Sequence, residues 1–153
     1  MRLYEIYLVH EHVANDYFGK DEKLFQLFVE MKTTQDMDLK EIINKQIKYV
    51  TQTIPALTVF HCVERKARFT QNKYLHKAWQ DLRISDGKGF VNLRCLSGHL
   101  IVEATGSLNQ EAWVFEVLRT LDDYFLAVDC QNYNSGWLKP PKTVALIKTK
   151  SEV

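Results

Sequence analysis

Two histidines near the start of the chain have a spacing that suits metal binding. His10 and His12 straddle Glu11 directly after a segment typical of a strand. On a strand, an H-x-H pair puts both rings on one face of the sheet. A zinc site needs three or four ligands, however, and no cluster of Asp or His follows to complete the set. We therefore expect no bound metal.

The cysteines do not form a recognisable ligand or redox motif. Cys62, Cys95 and Cys130 are widely spaced and odd in number, and none belongs to a C-x-x-C pair. The neighbouring pair His61-Cys62 lacks the second spaced pair that a zinc site requires. Buried thiols in a reducing compartment are the simpler interpretation.

Motifs for phosphate binding and nucleophilic catalysis are absent from the sequence. It contains neither GxxxxGK[ST], GxGxxG nor GxSxG, and Gly87-Lys88-Gly89 is typical of a hairpin loop. The paired carboxylates Asp122 and Asp123 follow a helical segment, where a solvated connection is expected. Because catalytic groups assemble in space, an enzyme is not excluded. The missing motifs make an enzyme less expected.

The charge balance argues against a general nucleic-acid binder. The 153 residues include 20 Lys and Arg against 19 Asp and Glu, for a net charge of +1, whereas nucleic-acid binding requires a clustered cationic surface. Residues 64–68 (ERKAR) are either a phosphate-binding patch or a solvated face, and the second is favoured. Neither a leader nor an apolar run of ~20 residues is visible. We expect a cytoplasmic protein with no membrane contact.

The first third of the chain is predicted to be a strand followed by helices. Residues 3–9 are aromatic and β-branched, which favours a strand. A short helix over residues 11–18 is expected to end at Gly19, and a second helix begins at Asp21. The apolar stripe of this second helix contains Leu24, Phe25, Leu27, Phe28 and Met31.

A third helix is predicted from Asp38, which starts or caps it, to about Gln52. Its apolar residues recur at steps of three and four: Leu39, Ile42, Ile43, Ile47, Val50 and Ile54. Gln46 falls within this stripe. A Gln at that position is either buried with hydrogen-bond partners or lies where the stripe meets another surface.

The next segments include two ambiguous ones. Residues 56–63 have the composition of a strand, although Pro55 also suits the start of a helix, and residues 74–84 fit a helix or a strand. Residues 90–96 and 100–105 flank Ser97-Gly98-His99 and predict a β-hairpin.

Beyond the hairpin the pattern predicts one more helix and a short strand. The helix covers residues 108–121, is capped by Ser107 or Asn109 and carries Trp113 on its core face; the strand covers residues 125–128. Trp137 is placed in a loop packed over the edge of the core. Residues 144–147 add an edge strand or drape over the body.

These elements predict an α/β fold. We expect one domain over residues 1–153, with residues 139–153 as an extended tail. A mixed β-sheet carries packed helices, and the N-terminal strand is followed by two to three helices.

Several strings, in the same order along nearly the whole chain, carry a resemblance to a known family. They are YEIYL at residues 4–8, ANDYFG at 14–19, LFQLF at 24–28, KQIKYVTQTIP at 45–55, FEVL at 115–118, FLAVD at 125–129 and GWLKP at 136–140. ANDYFG and KQIKYVTQTIP are the most specific. Together they resemble the SirA family, the sporulation inhibitors of replication of Bacillus-type endospore formers.

The resemblance implies a protein that is not an enzyme, has no cofactor and no small-molecule substrate, and acts by binding a partner. Members bind the N-terminal domain of the replication initiator DnaA and block initiation as sporulation begins. The implied contact surface lies on the N-terminal helices, and the matching positions are Val13, Tyr17 and Gln46. Val13 departs from the pattern, in which we expect a larger aromatic residue. Val13 and Tyr17 are four residues apart and therefore share a helix face.

Two other functions stay open at this point. One is an enzyme with a cleft near His10, His12 and the hairpin, for which a pocket holding His10 and several carboxylates would be the sign. The other is a nucleic-acid-associated regulator that uses Arg65, Lys66 and Arg68.

Overall fold

A computed structural model of the chain describes residues 1–17 and 20–139. It contains five helices, namely α1 (Glu11–Asp16), α2 (Asp21–Thr33), α3 (Met37–Val50), α4 (Ala56–Arg68) and α5 (Asn109–Leu121). The strands are β1 (Arg2–Val9), β2 (Thr51–Gln52), β3 (Tyr74–Ala78), β4 (Asp81–Ser85), β5 (Phe90–Cys95), β6 (Leu100–Thr105), β7 (Phe125–Asp129) and β8 (Asn134–Trp137). The α/β fold with a single domain is confirmed.

The strands form one sheet in the order β3-β4-β5-β6-β1-β7-β8. All pairings between the described strands are antiparallel, so the sheet is antiparallel where a mixed one was expected. β2 pairs with Leu8 and Val9 of β1, beyond the point where pairing with β6 ends. This short contact joins the end of α3 to the centre of the sheet.

The central strand β1 is buried on both faces, because helices cover each side of it. Ile6 and Leu8 pack in one core cluster with α4 and α5. Tyr7 and Val9 pack in a second cluster with α1, α2 and α3. Since successive strand residues point to opposite faces, the continuous aromatic and β-branched run of β1 supplies both cores at once.

The segment with two interpretations after Pro55 is a helix. Val59, Val63 and Ala67 of α4 are fully buried against the sheet, and their spacing of four matches one helix face. The strand-like composition of residues 56–63 was misleading, because the helical period becomes clear only when the charged residues that follow are included. Glu64 completes the buried face by pairing with Lys77 of β3 at 2.8 Å.

Other boundaries differ from the predictions in smaller ways. Residues 74–84 form the β3–β4 hairpin, with Gln80 at φ 62° in the turn. The loop expected around Trp137 is the edge strand β8, and the ring of Trp137 packs against the α1–α3 core cluster.

The caps of two helices also differ from the predictions. Asp36, not Asp38, caps α3, and Leu108 precedes α5 without a side-chain cap. Trp113 of α5 is half-buried.

Three predictions fall outside the described residues: the stop at Gly19, the tail beyond Lys139 and the strand at 144–147. Over the part of the chain that is described, no helix combines the length and the apolar character that crossing a membrane requires.

Candidate partner-binding groove

A groove opens between α1, α2 and α3 and encloses about 570 Å³. Its lining comes from all three helices and from the residue that ends α1: His12, Val13, Asp16, Tyr17, Lys23, Leu24, Leu27, Ile42, Lys45, Gln46, Tyr49 and Val50. We refer to it as the α1–α3 groove. It mixes apolar side chains with amide, phenol and charged groups, a composition found where proteins bind proteins.

One wall of the groove is α1, a six-residue helix. A helix this short is not stable alone in water, so its neighbours must hold it. The His10 N–H donates a hydrogen bond to the Val50 carbonyl at 3.0 Å, which ties the start of α1 to the end of α3. Val13 and Ala14 are buried in the core cluster below. The outward side chains of α1 therefore have a defined position.

Tyr17 is the residue at which α1 ends. Its N–H donates a 2.9 Å hydrogen bond to the Val13 carbonyl, and its own carbonyl accepts a 2.8 Å bond from the Lys20 N–H. The side chain is half-buried and packs against the core cluster of the three helices. Part of the ring is thus fixed by the protein, and the remainder is open to the groove.

The opposite wall, α3, has an inner and an outer row of residues. Asp36 starts the helix by accepting hydrogen bonds from the backbone N–H groups of Asp38 and Leu39 at 3.0 and 3.4 Å. The inner row, which is buried, is Ile43, Ile47 and Val50, and the outer row, which is exposed, is Leu39, Ile42, Gln46 and Tyr49.

This division corrects the single broad stripe that the sequence predicted for α3. Leu39 and Ile42 are 46% and 53% exposed, and Ile54 lies beyond the helix in the other core cluster. Gln46 belongs to the outer row, where the stripe borders the groove.

Val13, Tyr17 and Gln46, the residues that the sequence singled out for partner binding, all line the α1–α3 groove. Tyr17 and Gln46 present accessible side chains from opposite walls. Val13 is only 3% exposed and forms part of the floor, so it offers a partner little contact area. The role of these residues in binding stays a prediction.

Two groove residues that the sequence analysis did not select are Ile42 and Tyr49. Tyr49 is 72% exposed, and the ring of His12 meets it edge-to-face at 6.5 Å. Both residues follow from Gln46 by steps of three or four along the helix. That spacing could have identified them, but Ile42 had been assigned to the core.

The face of the sheet below the groove carries a buried polar cluster. The Tyr7 hydroxyl donates to Glu5 Oε2 at 2.7 Å, and Lys32 forms an ion pair with Glu5. The Tyr7 ring stacks on Phe28 of α2 at 4.1 Å and on His99 at 5.0 Å. Burial raises the pKa of Tyr7 and lowers the pKa of His99. Both rings are therefore kept uncharged, while Glu5 is balanced by Lys32.

The histidine pair does not form a metal site in the described residues. His10 precedes α1 and His12 lies within it, and their rings stack at 5.4 Å. No group of three or more His, Cys, Asp and Glu side chains suited to a metal ion occurs over residues 1–17 and 20–139. Asp16 is the one carboxylate in the lining of the groove, and His10 is not part of that lining. The arrangement that would favour the enzyme alternative is therefore not found there.

The basic run lies on the other side of the sheet, in the last turns of α4. Arg65, Lys66 and Arg68 are exposed, whereas Glu64 is buried. The hydrogen bond from Lys77 lowers the pKa of Glu64.

The cysteines are free and half-buried rather than fully buried. Burial raises the pKa of the Cys95 and Cys130 thiols, which disfavours the reactive thiolate form.

Comparison with known proteins gives one family. Residues 2–142 match the family described as "Sporulation inhibitor of replication protein SirA". A protein of that name from Bacillus subtilis (strain 168) is 32% identical over 142 residues, which cover 92% of this chain and 95% of the relative. The match includes every helix and strand that builds the α1–α3 groove.

Proposed function

The chain belongs to the SirA family of sporulation inhibitors of replication, and we propose that it acts by binding the N-terminal domain of the initiator DnaA. It thereby blocks initiation of chromosomal replication at the onset of sporulation. It works in the cytoplasm as a binding protein, not as an enzyme, and needs no cofactor, small-molecule substrate or direct contact with DNA.

The observation that carries this proposal is the meeting of Tyr17 and Gln46 in one groove, above Val13. Tyr17 ends α1 and Gln46 lies on α3, and these two helices are separated by α2 in the chain.

The groove has the features of a binding centre. Tyr17 and Tyr49 offer large rings with a polar tip, and such residues dominate many interfaces. Ile42 adds exposed apolar area to the lining, and Gln46 can donate and accept hydrogen bonds. Because a stable interface covers ~800 Å² on each partner, the groove would form its centre, with the rest of α3 as the rim.

The charges of the groove favour a protein over DNA. The lining contains the carboxylate of Asp16 as well as Lys23 and Lys45, and Lys45 lies 3.9 Å from the carboxylate of Glu41. A surface with mixed signs does not displace the counterions of a nucleic acid. Protein contacts, by contrast, commonly place a few charges of both signs around an apolar centre.

The direct test measures association of the purified chain with the cognate DnaA N-terminal domain by calorimetry. Tyr17→Ala should weaken binding by ~2 kcal/mol, since truncation of an interface Tyr has this effect. Tyr74→Ala is the matched control, because this Tyr is exposed on β3 at the far edge of the sheet. Absence of binding by the unmodified chain at ~tens of micromolar would refute the proposal.

The same variants give the test in cells. Expression of the unmodified chain during growth should lower the origin-to-terminus ratio. Expression of Tyr17→Ala should leave the ratio near that of cells without the chain, whereas Tyr74→Ala should lower it as the unmodified chain does. Melting of both variants is measured in parallel, because Tyr17 also packs against the core cluster. A binding loss that matched the unfolded fraction would remove Tyr17 from the interface.

A further inference from the structure

A second depression runs along α4, on the opposite side of the sheet from the α1–α3 groove. It consists of two adjoining hollows of about 470 and 570 Å³ that share Cys62, Arg65 and Phe69. We call it the α4 trough. Its helices pack in the other core cluster, so the two surfaces are separated by the sheet. The proposed function does not use it.

The floor of the α4 trough is apolar. The trough is lined by α4 and α5, and Val117 and the half-buried ring of Trp113, both from α5, contribute to its floor. Phe69, directly after the end of α4, is 83% exposed. Together with Trp113, this ring gives the trough a contiguous apolar surface that is available for contact with a partner.

The rim of the trough is cationic, although the chain as a whole is almost neutral. The two carboxylates in its lining already have partners: Glu64 pairs with Lys77 at 2.8 Å, and Glu116 pairs with Arg119 at 3.0 Å. Their charges are therefore cancelled locally.

The remaining cations are available to a ligand. Over residues 1–17 and 20–139, neither Arg65 nor Lys66 forms an ion pair, and Arg68 lies 3.8 Å from the already paired Glu64. Lys73 lies over the Trp113 ring at 5.4 Å and adds a positive charge at the edge of the floor.

We propose that the α4 trough binds a short acidic segment of a partner protein, with an aromatic or aliphatic residue as its anchor. The anchor would pack on Trp113 and Phe69, and flanking carboxylates would meet Arg65 and Lys66. Opposite charges around an apolar centre select such a partner and speed its association.

A nucleic acid fits this surface less well. Binding through phosphates draws on many cations along a track, whereas the trough has a cluster of a few around an apolar floor. Because the trough and the groove lie on opposite sides of the sheet, both partners can be bound at the same time. The chain would then connect a second protein to the proposed DnaA complex.

The test uses a library of random peptides displayed on phage and selected on the full chain. Selected peptides should be enriched in Asp and Glu around Trp, Phe or Leu. Synthetic copies should bind at least ~10-fold more weakly to Arg65→Glu/Lys66→Glu, because reversed charges repel the ligand, and raised salt should also weaken binding. Lys48→Glu/Lys88→Glu, with the same change in net charge outside the trough, should bind normally.

Phe69→Ser tests the apolar half of the proposal, because Phe69 is exposed and its loss should not unfold the chain. This variant should also bind the selected peptides more weakly. Peptides without acidic enrichment, or with equal affinity for the Arg65→Glu/Lys66→Glu variant, would overturn the proposal. So would tighter binding of duplex or single-stranded DNA than of the peptides.

Independence from the groove is tested with Tyr17→Ala, which should retain peptide binding whether or not the chain binds DnaA. If the unmodified chain does bind the DnaA N-terminal domain, that domain should not displace the peptide. Displacement would overturn the proposal of two separate surfaces.

Discussion

The Tyr7 hydroxyl donates a 2.7 Å hydrogen bond to Glu5 Oε2, and both side chains lie on the face of β1 that supports α1, α2 and α3. They share that face because they are two residues apart in a strand. Glu5 is 6% exposed and also pairs with Lys32 of α2. The polar cluster therefore connects the centre of the sheet to a helix of the α1–α3 groove.

Removing this hydroxyl should destabilise the fold without touching the groove surface. Tyr7→Phe keeps the stacking on Phe28 but leaves a buried carboxylate oxygen without its donor. We expect a loss of ~1–3 kcal/mol in the free energy of unfolding, measured by urea denaturation. Tyr74→Phe, at an exposed position, should show no loss. Equal stability of both variants would contradict the role given to this bond.

The elements that the sequence predicted correctly are those whose pattern has one interpretation. β1 and the β5–β6 hairpin have strand composition and clear turn residues, with Gly98 at φ 125° in the turn. α5 has an apolar stripe of helical period. In each case the local preference and the tertiary packing agree, so the pattern alone was sufficient.

The predictions that stayed ambiguous or failed depended on information that a local pattern does not contain. Residues 56–63 resemble a strand until the buried pairing of Glu64 with Lys77 extends the helical face. In α3, apolar residues on two neighbouring rows looked like one stripe, because hydrophobicity alone does not distinguish a core from a binding surface. Val13 was selected through the family resemblance, and the local pattern does not show that the surrounding helices leave it only 3% exposed. Its part in partner binding stays a prediction.

Stability of the chain should depend on pH through His99. Burial lowers its pKa from the ordinary 6.5, in a site that also faces Tyr7, Glu5 and Lys32. Below pH 6.5 the unfolded chain therefore binds a proton that the folded chain does not. Stability falls as the pH drops through this window, and no further loss from His99 occurs below its folded pKa.

The measurement is urea denaturation of the chain and of His99→Gln at several pH values from about 7.5 to 5. The variant should show the smaller decline. His76→Gln, at an exposed position on β3, is the control for the substitution itself. A decline in His99→Gln equal to that of the unmodified chain would show that other groups cause it.

The wall formed by α3 should depend on its cap. Asp36→Ala removes the acceptor for the N–H groups of Asp38 and Leu39. A lost N-cap lowers the free energy of unfolding by ~0.5–2 kcal/mol, and hydrogen exchange should increase first in the initial turn of α3. Asp38→Ala is the comparison, since Asp38 accepts no capping bond. If Asp38→Ala destabilised the chain more than Asp36→Ala, the helix would begin elsewhere.

Gln46 should contribute to partner binding, but less than Tyr17. A neutral hydrogen bond has a net effect of about 0.5–1.5 kcal/mol, so Gln46→Ala should reduce the affinity for the DnaA N-terminal domain modestly. Gln46 is exposed, and its replacement should leave the melting temperature unchanged. Gln26→Ala, on the exposed side of α2 and outside the groove, provides the baseline in the same calorimetric series. A Gln46→Ala affinity equal to that baseline would remove this residue from the interface.

Substitutions at Val13 and Tyr49 should distinguish a residue that supports the groove from a residue that contacts the partner. Val13→Ala removes two methyl groups from a site that is 3% exposed and should lower the free energy of unfolding by ~1–3 kcal/mol. Tyr49→Ala, at a position that is 72% exposed, should change the free energy of unfolding by no more than about 0.5 kcal/mol.

For partner binding by the folded protein, Tyr49→Ala should have the larger effect of the two variants. It should weaken binding of the DnaA N-terminal domain by ~1 kcal/mol or more, because an exposed ring on the groove can be covered by the partner. Val13→Ala should bind nearly as the unmodified chain does once the unfolded fraction is subtracted. Melting and calorimetry on the same preparations decide the matter. A large affinity loss in Val13→Ala without destabilisation would mean that the floor of the groove opens to admit the partner, and Val13 would then contact it directly.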